Sequence, residues 1–475
     1  MQVYPDADPV PRLRAGHSTR PSAGRYNWGL ARSAEGEVVT LQDHSWGPWH
    51  IPREYFSVPA YWDPEIQDAI AAKGRSVKII DCTLSEGEDM VGRHLSWAAR
   101  IRLAHLLDEL GVGEITTPIG LSPRELKDWV RACKRGGIET PICDKLIAHV
   151  LPLEQGDWKK RYDSHLACEA DTFVTFPYYP QISYWSDFTK GPFTKDQVVD
   201  AIHETVSYGV GRDAQIIFSF PDSFRHNVET IKLFCKAGVD AGAMGIYIYD
   251  SRGQSNPRAS YLICREIKET IGDVSLYVQH HNDLGMATAN SLAAAEAGAD
   301  FIDAAMNGVG DRSGTAALEE VACALYAYGW DPGVRLDKLL PLADEVEKAF
   351  GGNISNAIKP IIGWQANMEE GYGHRDPDDP PESPMAIAGE VLGKPFESVI
   401  GPNVFGKIHY IQPEGLHKHK EIIADFIGEL GFECSDEDLE EVRNRTKDAL
   451  LGRAEGYITI GELKLIVEGV LGASD

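Results

Sequence analysis

The central part of the chain alternates between short apolar runs and longer segments whose apolar residues recur at helical spacing. The runs have the length and β-branched content of buried strands. They cover residues 77–81, 113–117, 141–147 (the weakest), 171–176, 214–220, 244–249, 274–278 and 300–306. About eight strand–helix units in succession predict a parallel sheet covered by helices, closed into a (β/α)8 TIM barrel. A doubly wound open sheet is the alternative, but no G-x-G-x-x-G follows any of the runs.

Sequence signals also place several helix starts. Ser122 is followed by Pro123 and, at the capping-box position, Glu125, and Thr194 precedes another helical segment. We expect one more helix to begin near Ser313, directly after the last strand of the barrel.

The two ends of the chain lack the alternation. Residues 1–75 are rich in Pro, Gly, Trp and charge, which predicts an extension packed on the main body or on a partner subunit; a partly ordered arm is the alternative. Beyond the predicted catalytic barrel, residues 76–330, helices are expected at 337–350, 385–392, 415–431, 436–451 and 458–472, with a Pro/Asp-rich loop at 371–384. Residues 331–475 are therefore predicted to form small, mainly helical C-terminal subdomains.

Composition narrows the class of protein. The formal net charge is -26, from 72 acidic and 46 basic residues, and such a surface repels nucleic acid. No apolar run approaches the roughly 20 residues of a membrane span, and residues 1–16 lack the apolar core of a signal peptide. Eight scattered cysteines without a C-x-x-C pair predict reduced, mostly buried thiols and a cytoplasmic protein acting on small molecules.

Polar clusters follow the last two predicted strands, and they are the first candidates for chemistry. The first contains two adjacent imidazoles and comprises Gln279, His280, His281, Asn282 and Asp283. The second begins at Asn307 and ends with Asp311 and Arg312. Because the carboxyl ends of parallel strands share one rim, both clusters are predicted to lie there. A capped turn is the alternative for the second cluster.

The end of the first strand adds carboxylates to the same rim. Asp81 to Asp89, DCTLSEGED, holds four acids within nine residues, which suits a hard divalent cation; a solvated acidic loop is the alternative. Side chains two apart on a strand share a face, so Gln279 and His281 point together while His280 points away. Glu86 with His281 therefore predicts a metal site, although a lone His281 would more often be structural.

These stretches resemble the DRE-TIM metallolyase superfamily, which includes isopropylmalate, homocitrate and citramalate synthases and hydroxymethylglutaryl-CoA lyase. Residues 281–321 resemble its seventh and eighth βα units, and DCTLSEGED resembles its D-x-T-L-R-[DE]-G-[EN]-Q signature. Residues 361–363 and 371–374 resemble the tail of the synthase branch. The resemblance covers about 75–475. It implies a divalent metal (Mg, Mn, Co or Zn) that polarises a 2-oxo acid, acyl-CoA as a co-substrate, and a homodimer.

The resemblance also assigns roles to residues. The implied metal ligands are Glu86, Gln279, His281 and Thr315. The implied catalytic positions are Ser85, Glu369 and His374, with His280 added in case the strand is bulged there. The candidates for substrate contacts are Asp81, Thr116, Asn282, Asp283, Asn307 and Arg312.

Several of these positions depart from the family pattern. A histidine ligand falls on Gln279, the catalytic arginine on Ser85, a glutamate on Thr116, another on Pro221, an asparagine on Thr315, and a histidine–glutamate pair on Glu369 and Glu370. Losing an arginine beside a developing enolate typically costs several kcal/mol, so a replacement cation is expected, with Arg225 or Arg252 as candidates.

Three functional hypotheses follow. The first is a divergent metal-dependent enzyme that joins an acyl-CoA to a 2-oxo acid in a Claisen-type condensation. The second is a lyase or aldolase of the same superfamily, using retro-aldol or decarboxylative cleavage. The third is a catalytically silent homologue with a binding role.

Overall fold

The structure is a computed structural model. It describes residues 76–145, 157–175, 193–328 and 330–352, shorter stretches up to residue 366, residues 423–424, 427–428, 432–450 and 460–472, and two short strands near the N-terminus. Several predicted features lie outside the described residues: the helix at 385–392, the loop at 371–384, most of the helix at 415–431, and Glu369, Glu370 and His374.

The chain divides into two compact units, Met1–Ala69 and Ile70–Asp475. In the first, Ala31–Arg32 pairs antiparallel with Val38–Val39. The boundaries predicted at residues 75 and 330 stay predictions.

Eight parallel strands form a closed barrel in the second unit. In chain order they are β1 (Lys78–Asp81), β2 (Glu114–Thr116), β3 (Ile142–Asp144), β4 (Thr172–Thr175), β5 (Ile216–Phe220), β6 (Gly245–Asp250), β7 (Ser275–His280) and β8 (Phe301–Ala304). Each strand pairs with the next, and β8 closes the barrel by pairing with β1. The predicted (β/α)8 fold is confirmed.

A helix follows each strand. In order these helices are α1 (Trp97–Leu110), α2 (Pro123–Arg135), α3 (Trp158–Leu166), α4 (Lys195–Val210), α5 (Val228–Asp240), α6 (Pro257–Ile271), α7 (Ala287–Glu296) and α8 (Leu318–Ala327). The capping box predicted at Ser122 is present, and Thr194 caps α4 in the same way. The helix expected near Ser313 starts instead at Leu318. Its expected first turn contains Arg312 and Gly314 in left-handed backbone (φ 57° and 84°), which cannot continue a helix.

Strand alternation separates two apolar cores. The larger one lies between the strands and the helices. The smaller one fills the barrel interior with Ile80, Cys143, Val174, Ile217, Tyr247, Tyr249, Tyr277 and Phe301. Tyr277 stacks on Phe301 with ring centroids 4.1 Å apart. Each fully buried large apolar side chain of this kind stabilises the fold by about 1.5–3 kcal/mol. This packing closes the middle of the barrel and leaves polar side chains at its ends.

Beyond the barrel, α9 (Leu339–Ala349) adds Leu342 and Val346 to the larger core. Phe350 follows it and packs so closely on Gly87 that a Cβ there would lie 2.7 Å from the Phe350 ring, so a larger residue at 87 would force Phe350 to shift. Two later helices, α10 (Asp436–Leu450) and α11 (Ile460–Leu471), share a small apolar core of their own. All eight cysteines are free thiols. Within the described ranges, no helix has the length and apolar character needed to cross a bilayer.

Candidate active site

Five polar side chains converge inside the carboxyl end of the barrel. We call them the upper cluster: Glu86, Lys145, Gln279, His281 and Asp303. Three of them, Lys145, Gln279 and Asp303, lie two residues beyond an interior apolar or aromatic residue of their strand, and His281 lies two residues beyond Gln279. The fifth, Glu86, opens the short 3-10 helix Glu86–Asp89, whose first N–H donates to the Cys82 carbonyl oxygen over 2.8 Å.

Hydrogen bonds link the cluster across the barrel. The amide nitrogen Nε2 of Gln279 donates to Glu86 Oε1 over 3.0 Å and to Asp303 Oδ2 over 3.2 Å. The same Asp303 oxygen accepts from Lys145 Nζ at 2.7 Å. His281 Nε2 lies 3.8 Å from Glu86 Oε2. Two carboxylates are thus bridged by one amide and flanked by one ammonium and one imidazole.

Burial and charge set the protonation states of the cluster. Burial raises the pKa of the Asp303 carboxyl, and Lys145 and its hydrogen bonds only partly oppose this. For Glu86, burial also favours the neutral acid, but Lys145, His281 and the Gln279 amide outweigh it and hold the pKa below its usual value. Burial disfavours a charged Lys145, yet the Asp303 and Glu86 carboxylates hold its pKa above the usual value. Glu86 and Lys145 are therefore charged at neutral pH.

The donors of the upper cluster can be compared with those that a divalent metal requires. Within the described residues, no group of three or more His, Cys, Asp or Glu side chains is arranged to hold a metal ion. Glu86 Oε2 and His281 Nε2 nevertheless face each other, and the buried His281 Nδ1 has no hydrogen-bond partner in the part of the chain that the structure describes. One carboxylate and one imidazole suit a divalent ion such as Mn²⁺ or Zn²⁺ held by two protein ligands, with water or substrate completing its shell.

The other two implied ligands are placed differently. Gln279 directs its amide nitrogen at the carboxylates, so it serves as a donor to Glu86 and not as a ligand beside it. Thr315 pairs with His281 through the backbone, and its hydroxyl donates to the Val309 carbonyl oxygen over 3.2 Å. Both side chains therefore border the Glu86–His281 pair.

Ser85 and Thr116, where the resemblance places an arginine and a glutamate, form a neutral pair. Both are buried, and their hydroxyl oxygens are 2.8 Å apart and hydrogen-bonded. The Ser85 hydroxyl also approaches the Cys82 carbonyl oxygen at 3.2 Å. The two departures are thus matched to each other: a charge and its potential partner are replaced by two hydroxyls that satisfy one another.

His280 lies behind the barrel wall. Its Nε2 is 3.0 Å from the Ser260 hydroxyl and its Nδ1 is 3.3 Å from the Ser291 hydroxyl. It is fully buried, and burial together with the nearby His281 lowers its pKa to about 3. The strand is not bulged here, so His280 is turned away from the upper cluster and has no path to a ligand inside the barrel.

Asp81 also faces away from the interior. Its two oxygens accept from the Thr83 N–H over 3.0 Å and the Thr83 hydroxyl over 2.7 Å. Burial raises its pKa to about 7. The Thr83 hydroxyl in turn accepts from the Met306 N–H at 2.8 Å, so Asp81 fixes the loop after β1 against the loop after β8.

The remaining candidates surround a cavity of about 380 Å³ beside the upper cluster, between the loops after β7 and β8 and the segment after α9. Its walls include Asn282, Asn307, Arg312, Thr315 and Lys359. Arg312 makes two hydrogen bonds to the Asp283 carboxylate, of 2.8 and 2.9 Å, and lowers its pKa. Asn307 donates to the Ser355 hydroxyl at 3.0 Å. The structure thus brings these residues to one wall.

The replacement cation expected at Arg225 or Arg252 is found elsewhere. Arg225 makes 2.8 Å hydrogen bonds to Asp222, and Arg252 is exposed. The cation inside the barrel is Lys145, which the sequence analysis missed together with Asp303. The alternation of inward and outward side chains along a strand is a signal for both residues. Lys145 is two residues beyond the interior Cys143, and Asp303 is a charged residue within a buried strand.

The chain is similar to several known proteins. A family model described as HMGL-like matches residues 76–346. A homocitrate synthase of Methanopyrus kandleri is 30% identical over 411 residues, which are 86% of this chain and 96% of the relative. A 2-isopropylmalate synthase of Methanocaldococcus jannaschii is 29% identical over 83% of this chain and 72% of the relative. Among solved structures, the HMG-CoA lyase of Brucella melitensis covers 58% of this chain and 99% of that chain, with 16% identity and a TM-score of 0.49.

Proposed function

Because the chain belongs to the HMGL-like family, in the synthase-like branch of the DRE-TIM metallolyases, we propose that it joins an acyl-CoA to a 2-oxo acid in a metal-assisted, Claisen-type condensation. The observation that carries this proposal is the extent of the match to the homocitrate synthase, 96% of whose length is covered. The similarity therefore extends past the barrel into the tail that the sequence analysis likens to the synthases.

The chain's own residues support an altered version of that chemistry. Glu86 and His281 would hold the divalent ion, which would supply Lewis-acid polarisation of the acceptor carbonyl. Gln279 orients the Glu86 carboxylate by its 3.0 Å hydrogen bond, as an outer-shell partner does. Ser85 and Thr116 contribute hydroxyls and no charge. The neighbouring cavity, whose wall includes Arg312, offers space for the second substrate.

The proposal is tested by thiol release from acetyl-CoA and propionyl-CoA with a panel of 2-oxo acids, in the presence of Mg²⁺ or Mn²⁺. We expect thiol release with at least one pair, and a strong reduction in Glu86→Gln. Glu109→Gln is the matched control, because Glu109 is an exposed carboxylate on α1 that pairs with Lys338 and not with the upper cluster. Its rate should equal that of the parent. Absence of thiol release from the parent with every pair would refute the condensation.

A lyase or aldolase is the second candidate, favoured by the neutral Ser85–Thr116 pair where the resemblance places an arginine and a glutamate. Cleavage of β-hydroxy acids to carbonyl products without CoA would support it. Inertness in both assays, with a tight stoichiometric partner, would support a binding role. The implied homodimer stays a prediction that light scattering on the full chain tests.

A further inference from the structure

Lys145 extends across the barrel mouth from the third strand towards the eighth. Its ammonium nitrogen reaches Asp303 Oδ2 at 2.7 Å and lies 5.2 Å from the centre of the Tyr247 ring. The side chain is 12% exposed and the Asp303 side chain is fully buried. A lysine placed this deeply is held by its partner, because an unpaired buried ammonium would be costly.

The ion pair leaves hydrogen-bonding capacity unused. An ammonium group has three N–H donors, and the described residues supply one acceptor for them, Asp303 Oδ2. On the Asp303 carboxylate itself, the Cys82 thiol is the other described donor besides Lys145 and Gln279. Ammonium donors that lie within a polar cluster and lack protein acceptors among the described residues are suited to a ligand that supplies acceptors.

Three other cations near this rim are already engaged. Arg312 is bound by Asp283 and by the Ser251 carbonyl oxygen. Lys359 forms ion pairs with Glu319 at 3.2 Å and with Glu320 at 2.7 Å. Arg225 is held by Asp222, as described above. Lys145 differs from them in facing the Glu86–His281 pair with free N–H groups.

We infer that Lys145 anchors the carboxylate of the 2-oxo acid, so that the acid's carbonyl group lies towards Glu86 and His281. The inference rests on the proposed function for the substrate class. A charge-assisted hydrogen bond from a fixed ammonium suits a carboxylate, and the low local dielectric strengthens it. Lys145 would thereby provide, from β3, the positive charge that Ser85 does not provide from β1. The raised pKa of Lys145 agrees, since it keeps the amine protonated.

Equilibrium binding of pyruvate, 2-oxoisovalerate and 2-oxoglutarate to the full chain, by calorimetry with Mn²⁺ present, tests this. We expect the tightest of the three to bind about 10- to 100-fold more weakly to Lys145→Met, the loss typical of a hydrogen bond to a charged group. Lys145→Arg should recover part of the affinity. Lys78→Met is the matched control: Lys78 lies over the Phe301 ring at the opposite end of the barrel, 5.3 Å from its centre, and its removal should leave binding unchanged.

Lys145→Met leaves Asp303 buried without its cation and can fail to fold. The double variant Lys145→Met/Asp303→Asn removes both charges, and it should show the same loss of binding. Parent-like binding in both variants would overturn the inference, as would no binding of any of the three acids to the parent. A borohydride-trapped adduct of a 2-oxo acid on Lys145 would also overturn it, because an imine requires the neutral amine. Binding that depends on Lys145 without any thiol release would instead refute the condensation alone.

Discussion

The barrel interior holds two polar groups at different heights, and they differ in how completely their atoms are bonded. In the lower group, both oxygens of Glu114 are satisfied, by the Tyr277 hydroxyl at 2.8 Å and the Thr172 hydroxyl at 3.2 Å. In the upper cluster, His281 Nδ1 lacks a partner within the described residues. An unbonded buried polar atom costs stability, and in the upper cluster it lies on a side chain that would hold the metal.

Glu114 and Glu86 also differ in the direction in which their pKa values are shifted. Burial raises the pKa of Glu114, and the hydrogen bonds from Tyr277 and Thr172 only partly oppose it. Burial acts on Glu86 as well, but Lys145 and His281 reverse the outcome and lower its pKa. One carboxyl group is thus accommodated as a structural element, whereas the other is kept ionised beside two potentially cationic groups.

The largest expected difference between the upper cluster and the lower group comes from replacing the glutamate of each by glutamine. Glu86→Gln should reduce Mn²⁺ affinity and thiol release by at least about 100-fold, because even outer-shell partners of a metal are worth about 10- to 100-fold. Glu114→Gln should retain both properties. Metal titration by calorimetry and initial rates check this pair. Equal losses in the two variants would remove the functional distinction between the layers.

A smaller effect, on stability, is expected when the lower group loses the hydroxyl of Tyr277. Tyr277→Phe leaves a buried Glu114 oxygen without its donor, and that should lower the free energy of unfolding by about 1–3 kcal/mol. Urea denaturation measures it, with Phe301→Leu as a packing control that keeps the hydrogen bond. Activity at saturating substrate should be unchanged. A parent-like stability with a reduced kcat would instead make Tyr277 part of the reaction.

The upper and lower layers also differ in how far the sequence predicts them. The strands of the barrel, and the pointing of Gln279 and His281 to one side, follow from apolar runs and alternation. The third strand is the weak case, because β3 is only Ile142–Asp144 and its end is charged. For that reason Lys145 was not assigned to a strand end. The ion pair between Lys145, which follows β3, and Asp303 of β8 joins residues that are distant in sequence. It forms only because the barrel closes.

His280, the last residue of β7, and the adjacent His281 lie in different environments. Both ring nitrogens of His280 are hydrogen-bonded, to Ser260 and Ser291, whereas one ring nitrogen of His281 is open. The folded-state pKa of His280 is about 3, against 6.5 for an unperturbed histidine. The unfolded chain therefore takes up the proton first as the pH falls. The stability that neutral His280 contributes is complete above pH 6.5 and is lost progressively between pH 6.5 and 3.

The expected loss from His280 between pH 7.5 and pH 5.5 is about 1.4 kcal/mol of unfolding free energy. Asn at this position keeps polar contacts to the two serines and does not titrate, so His280→Asn should flatten the pH dependence by that amount. Asp81 acts in the opposite direction, because its pKa of about 7 makes it more stabilising at lower pH. The difference between parent and variant, measured by urea unfolding at the two pH values, cancels that contribution. If the two slopes are equal, His280 is protonated in the folded barrel, and its separation from the upper cluster is wrong.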